Sequence, residues 1–458
     1  MPRAAEAYLL ASRAADGDDR LDLERLAAEH FLRSGRIDDG MRVARRVATA
    51  LGADLDASHG RVLGKITLER VRNRWRGLTI ARARAPSEAR RADACLSLSS
   101  GLTMLDAVRA AWFTSRAVRH ALDGGNPSQA ARAIGYDAAL LASRGAGQER
   151  RVHDALAQAR AFAAQARDRE APALVELATG VVALLAGDYR AARVRCDQAS
   201  AMFRTAVAGV AFDQHVAAYF AIVATYWLGE WGELARRRRA LVRVADATDD
   251  RFARLCVQTG PGIITDLIAG GDPEALHAEV EATTRTWSRA QAPSAFARQV
   301  AAATTIDGYR GRDDLALARL DAAWPHLTRA RVLMTEQSRS TILGLRGPAY
   351  LRAGRLTEAA ADARAMRQLA SMVGPAALIE AAIVDHGGGD PRRLLDVAVA
   401  ETEAAGLMAI VAAARARRGR VLGGDAGAAE RLAAIDLATQ LELGDPDRAF
   451  DFLAPWRA

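Results

Sequence analysis

The sequence predicts an all-α fold, an α-solenoid of helical hairpins wound into a right-handed superhelix. Three observations carry that expectation. Glycine-led turns recur at Gly187, Gly229, Gly270, Gly311 and Gly354, with spacings of 42, 41, 41 and 43 residues, and such a period marks stacked two-helix units. The composition suits helices: half of the 458 residues are hydrophobic and only 5% aromatic, with alanine, leucine and arginine dominating. Finally, residues 174–205, LVELATGVVALLAGDYRAARVRCDQASAMFRT, display one unit in full.

In that unit the first helix carries Leu174, Leu177, Val181 and Leu184 on one side. Gly187 stops it, since glycine reaches the left-handed conformation that a helix C-terminus often requires. Asp188 caps the next helix and Tyr189 plugs the space between the two. Ala192, Cys196 and Ala199 then form a narrow face of small side chains that permits close approach. Gly180, Gly187, Asp188, Tyr189, Ala192 and Ala199 together resemble the 34-residue tetratricopeptide (TPR) pattern. A pitch near 42 exceeds 34, so the units are TPR-like rather than TPR. Gly347, Tyr350, Gly354 and Ala359 repeat the pattern further on. One hairpin cannot bury its own apolar face, so neighbours are required on both sides.

Taken in order, residues 4–15 and 21–34 are expected to form the first helices, interrupted at Asp16-Gly17-Asp18-Asp19. Gly35 ends the second, and residues 37–51 pair with it through Met41, Ala44, Val47 and Ala48. Pro86-Ser87-Glu88 opens a fresh helix. Helices are predicted over 89–100, 102–122 and 128–144, with Asn126 as cap and Pro127 as first helical residue of the last. Gly271-Asp272-Pro273, Gly389-Asp390-Pro391 and Gly444-Asp445-Pro446 each combine a glycine stop, an aspartate cap and a proline start. The last helix is short, and Pro455-Trp456 folds back over the final hairpin. The expected organisation is N-terminal hairpins over 1–60, a basic helical segment over 61–91, and a repeat array over 92–458.

Residues 27–52, AAEHFLRSGRIDDGMRVARRVATALG, followed by RWRGL at 74–78, resemble the C-terminal helical region of bacterial multidomain serine/threonine kinase–AAA ATPase signalling proteins. The resemblance implies a long TPR-like array working beside catalytic modules. Those modules are missing here: there is no glycine-rich kinase loop, no HRD triplet and no DFG. GRVLGKI at 60–66 has one residue too few between its glycines for a Walker A loop, and an isoleucine where a hydroxyl belongs.

Other chemistry is equally sparse. Cys95, Cys196 and Cys256 are far apart and form no CxxC pair, so they read as buried thiols in a reducing compartment. The eight histidines show no HExxH spacing. Asp385-His386 before Gly387-Gly388-Gly389 reads as a helix-capping turn, and Asp246, Asp249 and Asp250 miss the EF-hand spacing. No cofactor or metal is expected. The N-terminus lacks a signal-peptide core, and no apolar run approaches the length of a membrane span. A cytoplasmic protein is the expectation.

The net charge of +8 is local. Residues 61–91 hold ten bases (Arg61, Lys65, Arg70, Arg72, Arg74, Arg76, Arg82, Arg84, Arg90, Arg91) against Glu69 and Glu88, and that surplus equals the charge of the whole chain. Leu68, Val71, Trp75 and Leu78 form a 3-4-3 stripe, which predicts a helix burying that stripe and exposing its arginines. Arg72, Arg76 and Arg84 are then candidates for contact with an acidic partner; nucleic acid is the weaker alternative because stacking aromatics are scarce there. A second candidate is YWLGEWGELARRRR at 226–239. Trp227 and Trp231 bracket the Gly229 turn, and Arg236, Arg237, Arg238 and Arg239 span a helical turn, so at least one must face the neighbouring hairpin. The functional expectation is a non-enzymatic interaction, scaffold or sensor module of bacterial signalling that binds a protein partner in the solenoid groove. A detached regulatory part acting in trans on a kinase–ATPase system is one alternative, and a nucleic-acid-binding regulator acting through residues 61–91 is the other.

Overall fold

The computed structural model describes residues 2–82, 84–103, 105–145, 147–205, 211–248, 250–285, 287 and 292–456. The chain is 81% helical, with 24 α-helices and no strand among the described residues. After α1 (Pro2–Ala11), hairpins follow in succession: α2 (Gly17–Arg33) with α3 (Ile37–Ala50), α5 (Pro86–Thr103) with α6 (Ala107–Gly124), and α7 (Pro127–Ala142) with α8 (Glu149–Gln165). Between the first two of these, α4 (His59–Arg76) lies against α6 outside the hairpin series. The array continues with α9 (Glu170–Leu185) and α10 (Tyr189–Thr205), then α11 (Ala211–Trp227) and α12 (Trp231–Thr248).

The sixth unit is irregular. Its first helix is split by Gly260-Pro261 into α13 (Arg251–Gln258), a 3-10 turn at Pro261–Ile263 and α14 (Ile264–Ile268), which together precede α15 (Pro273–Thr284). Regularity returns with α16 (Pro293–Tyr309) and α17 (Asp313–Arg329), α18 (Glu336–Arg352) and α19 (Leu356–Met366), α20 (Val373–His386) and α21 (Arg392–Ala404), and α22 (Met408–Leu422) and α23 (Gly424–Gln440). The short α24 (Pro446–Leu453) closes the chain. This is the TPR-like solenoid that the glycine period predicts.

The local chemistry follows the sequence closely. All five periodic glycines have positive φ, from +72° at Gly311 to +84° at Gly270. Asp188 accepts from the Ala191 amide at 3.0 Å, Asn126 from that of Ser128 at 3.0 Å, and Asp445 from that of Arg448 at 3.2 Å. A Cβ on Gly180 would stand 2.7 Å from the Cys196 sulfur, so this glycine is what lets α9 and α10 approach. Some boundaries move. Helix α1 ends at Ala11 rather than at residue 15, and α2 starts at Gly17, so Asp18 and Asp19 belong to its first turn. The α5–α6 break falls after Thr103 rather than at Gly101, and α21 starts at Arg392, so Pro391 precedes that helix instead of opening it. Asp249 lies outside the described residues.

Successive turns of the superhelix touch. The α2–α3 turn at Gly35 meets Arg251 at the start of α13, and Trp287. Leu105, before α6, accepts from the Ser294 amide of α16 at 3.0 Å, and Ser143, after α7, from that of Glu336 of α18 at 3.0 Å. Gly187 abuts Ser371, just before α20. Gly229 abuts Ala409 of α22, and Gly444, just before α24, abuts Ile268 of α14. Each connection thus meets the unit five hairpins away, which sets five units per superhelical turn. One core cluster accordingly runs from Ala5 to Leu407. The accessible surface is 19154 Å², about 15% above the value expected of a globular chain of this mass. The array is coiled upon itself rather than extended.

Candidate functional site

A helix in a solenoid packs against its hairpin partner on one side and faces the superhelix axis on the other. The first helices of several hairpins carry apolar residues on both sides, as in α9 (EAPALVELATGVVALL) and α11 (AFDQHVAAYFAIVATYW). Their axial sides enclose an apolar cavity of about 300 Å³. Tyr136 of α7, Leu174 and Val181 of α9, and Phe220 and Trp227 of α11 line it from the first superhelical turn. Residues of α16, α18, α20 and α22 line it from the second. The C-terminal residues Phe452, Leu453, Ala454 and Pro455 wall one side. They are held there by Arg417, whose Nε donates to the Ala454 carbonyl at 2.7 Å, and by the Phe452 ring set edge-on against Tyr309. Trp456 folds back, but onto α20 of the preceding hairpin rather than over the final one, donating to Asp385 at 2.8 Å.

A second cavity of about 610 Å³ adjoins the first, and Tyr136 and Leu174 line both. Its walls are charged with both signs: Arg25, Arg33, Arg132, Arg167 and Arg169 stand among Glu29, Asp93, Asp168, Glu170 and Asp213. Arg33 is buried in this wall. It pairs with Glu29 at 2.9 Å and Asp213 at 3.4 Å, reaches the Ser100 hydroxyl, and lies over the Phe212 ring at 4.5 Å. Burial works against the charge of Arg33, but Asp213 and Glu29 outweigh it and hold its pKa above the ordinary value. The two carboxyls diverge. Burial would raise Glu29, yet Arg33 and the Ser97 hydroxyl hold it low, whereas burial dominates at Asp213 and pushes it up against the pull of Arg33. Arg132 bridges Glu170 at 3.0 Å and Asp93 at 3.5 Å. The arrangement sets an apolar slot beside fixed charges of both signs.

The residues singled out in the sequence are dispersed. Trp227 lines the axial cavity, stacked on Tyr189 at 5.7 Å, while Trp231 is buried at 1% exposure. The arginine run is largely structural: Arg236 pairs with Glu233 and with Glu442, Arg237 with Asp197 and Glu233, and the buried Arg238 with Asp266 at 2.6 Å. Arg239 is exposed. Arg76 is bound to Asp123 at 2.7 Å, Arg72 pairs with Glu69 at 3.3 Å, and Arg84 is exposed.

Residues 61–91 do not form one basic helix. The segment divides into α4, an irregular stretch and the start of α5. The apolar stripe also faces the opposite way from the expectation: Leu68, Val71 and Trp75 are 50%, 45% and 88% exposed. The inward side is formed by Val62, Ile66 and Glu69. Residues 60–66 lie within α4, and Lys65 sits over the Trp112 ring at 4.5 Å, so no phosphate-cradling loop exists there. The charged cavity was not foreseen, since its residues are scattered over five helices and the α8–α9 connection; the doubly apolar character of α9 and α11 was the available signal for the axial one.

Among the described residues no group of histidine, cysteine and acidic side chains is placed to hold a metal ion. None of the described helices is long and apolar enough to cross a membrane. No family model and no curated protein matches the chain. The fold is similar to that of a Rap protein solved in complex with Competence and Sporulation Factor, with a TM-score of 0.59 at 9% identity, over 78% of this chain and 99% of that one.

Proposed function

We propose that this chain is a non-enzymatic interaction module of bacterial cytoplasmic signalling, which seats a segment of a protein partner along the axis of its superhelix. The observation that carries this reading is the apolar axial cavity lying beside a chamber lined by charges of both signs, with Tyr136 and Leu174 common to both walls. Such a pair of sites suits an extended segment whose side chains fill the slot while its polar groups meet Arg33, Arg132 and their carboxylates. The similar Rap structure, itself a complex with a factor, supports binding as the kind of task this fold performs. The resemblance of residues 27–52 points to a signalling kinase or ATPase as the partner class.

The experiment is to fill the slot without touching the hairpin interfaces. Ala139 and Ala301 are half-buried and line the axial cavity. Ala139→Trp and Ala301→Trp should leave the melting temperature near that of the wild type yet abolish recovery of the partner captured by the wild-type chain from its native cells. Undiminished recovery by both folded variants would sink the axial site.

A further inference from the structure

Outside the cavities, the unexplained feature of the molecule is α4. Its inner side packs on the rest of the molecule. Val62 and Ile66 are buried, Asn73 donates to the Ser115 carbonyl at 2.7 Å, and Arg70 and Arg76 reach Asp137 and Asp123. Its outer side presents Leu68, Val71 and Trp75 to solvent at intervals of three and four residues, one continuous helical ridge about 10 Å long at 1.5 Å per residue. A tryptophan left 88% exposed within such a ridge is an apolar surface without a cover.

The charges beside the ridge are also uncompensated. Arg61 and Arg74 on α4, and Arg82 and Arg84 just after it, are exposed, and none has an acidic partner among the described residues. Arg72 meets Glu69 alone, and Glu69 itself is turned inward and buried. The face therefore combines the side chains that dominate protein interfaces, tryptophan and arginine, with no carboxylate of its own to satisfy them.

We infer that the outer face of α4 is a docking surface for an acidic amphipathic helix of a protein partner. An apolar ridge two helical turns long matches the footprint of one crossing helix. Carboxylates flanking the apolar side of that helix would meet the arginines, whose planar forks grip carboxylates at two points. Leu68 and Val71 have no counterpart on a phosphate backbone, and a ridge one side chain wide offers a bilayer little to insert. No α4 residue lines either cavity, so this surface is separate from the axial site.

The test uses the full chain and a fluorescein-labelled helical peptide of about 20 residues, with leucines at helical spacing flanked by glutamates. A second peptide carries lysines in place of the glutamates. Anisotropy should show saturable binding of the glutamate peptide, weakened by added salt, and none of the lysine peptide. Trp75→Ala should weaken binding about tenfold or more, Leu68→Ser should weaken it too, and reversing Arg61, Arg74 and Arg84 to glutamate should remove it. Ala301→Trp should leave it unchanged, which separates this surface from the axial site. Absence of saturable binding, or binding indifferent to Trp75→Ala in a variant that melts like the wild type, overturns the proposal. So does a tryptophan emission shift, absent in Trp75→Ala, produced by phosphatidylserine vesicles or duplex DNA and not by the glutamate peptide.

Discussion

At the scale of single residues, burial decides which reactive groups are chemically available. Cys95, Cys196 and Cys256 are all buried at 1% exposure or less, and burial pushes each thiol up to about 12. Since the thiolate is the reactive form, Ellman's reagent should label none of them in the native protein and all three after unfolding. Rapid labelling of a native thiol would show a hairpin opening that the packing does not allow. Asp106 shows the reverse case. It caps α6 through the Val108 and Arg109 amides at 3.1 Å and pairs with His59 at 2.9 Å and with Arg109. Burial would raise its carboxyl, but His59 and Arg109 outweigh that and hold it low. A lowered folded-state pKa contributes stability above the ordinary aspartate value of about 4, and that contribution is lost as pH falls through the folded value. Asp106→Asn should therefore lower stability at pH 7 by about 2 kcal/mol and flatten the acid limb of a pH–melting profile. An acid limb identical to the wild type's would rule out this contribution. The His59 pairing was not legible in the sequence, because His59 and Asp106 are brought together by the docking of α4 on α6, whereas the cap and the Arg109 pair lie within three residues.

At the scale of elements, helices, caps and turns were legible and faces were less so. The glycine stops, aspartate caps and proline starts act through backbone chemistry within a few residues, so Gly187-Asp188, Asn126-Pro127 and Gly444-Asp445-Pro446 do what their residue types dictate. The face of α4 was not legible. Its periodicity offers two stripes, Leu68–Val71–Trp75 and Val62–Ile66–Glu69, and the first is the more apolar. The second is buried because α6 and its surroundings supply polar partners that no periodicity reveals: Ser115 for Asn73, Arg119 for Glu69 and Asp123 for Arg76. A contrast between two tryptophans checks this orientation. Trp75→Ala removes a side chain that is 88% exposed and should shift stability by no more than about 0.5 kcal/mol. Trp231→Ala empties a buried site and should cost about 3–5 kcal/mol. If urea unfolding shows the larger loss for Trp75, then α4 is turned the other way in solution.

At the scale of the whole molecule, the repeat period specifies units but not how tightly they coil. The contact between superhelical turns depends on single turn residues, and the turn glycines provide a controlled comparison of it. Gly229 and Gly311 both lie at positive φ, +76° and +72°, so alanine pays a similar conformational penalty at each, roughly 1–2 kcal/mol. They differ in surroundings. A Cβ on Gly311 would meet nothing within 4 Å, whereas one on Gly229 would fall on the backbone of Ala409, in the next superhelical turn. Gly232 nearby donates its amide to the Leu441 carbonyl at 3.3 Å, so α12 and the end of α23 have little room to yield. Gly311→Ala should thus lose only the conformational term. Gly229→Ala should lose about 1–3 kcal/mol more through overpacking, and it should increase the radius of gyration as the turns separate. Equal losses with unchanged scattering would mean that the two turns do not touch in solution. The axial cavity would then be an open groove, because its walls come from both turns and close only when these are in register.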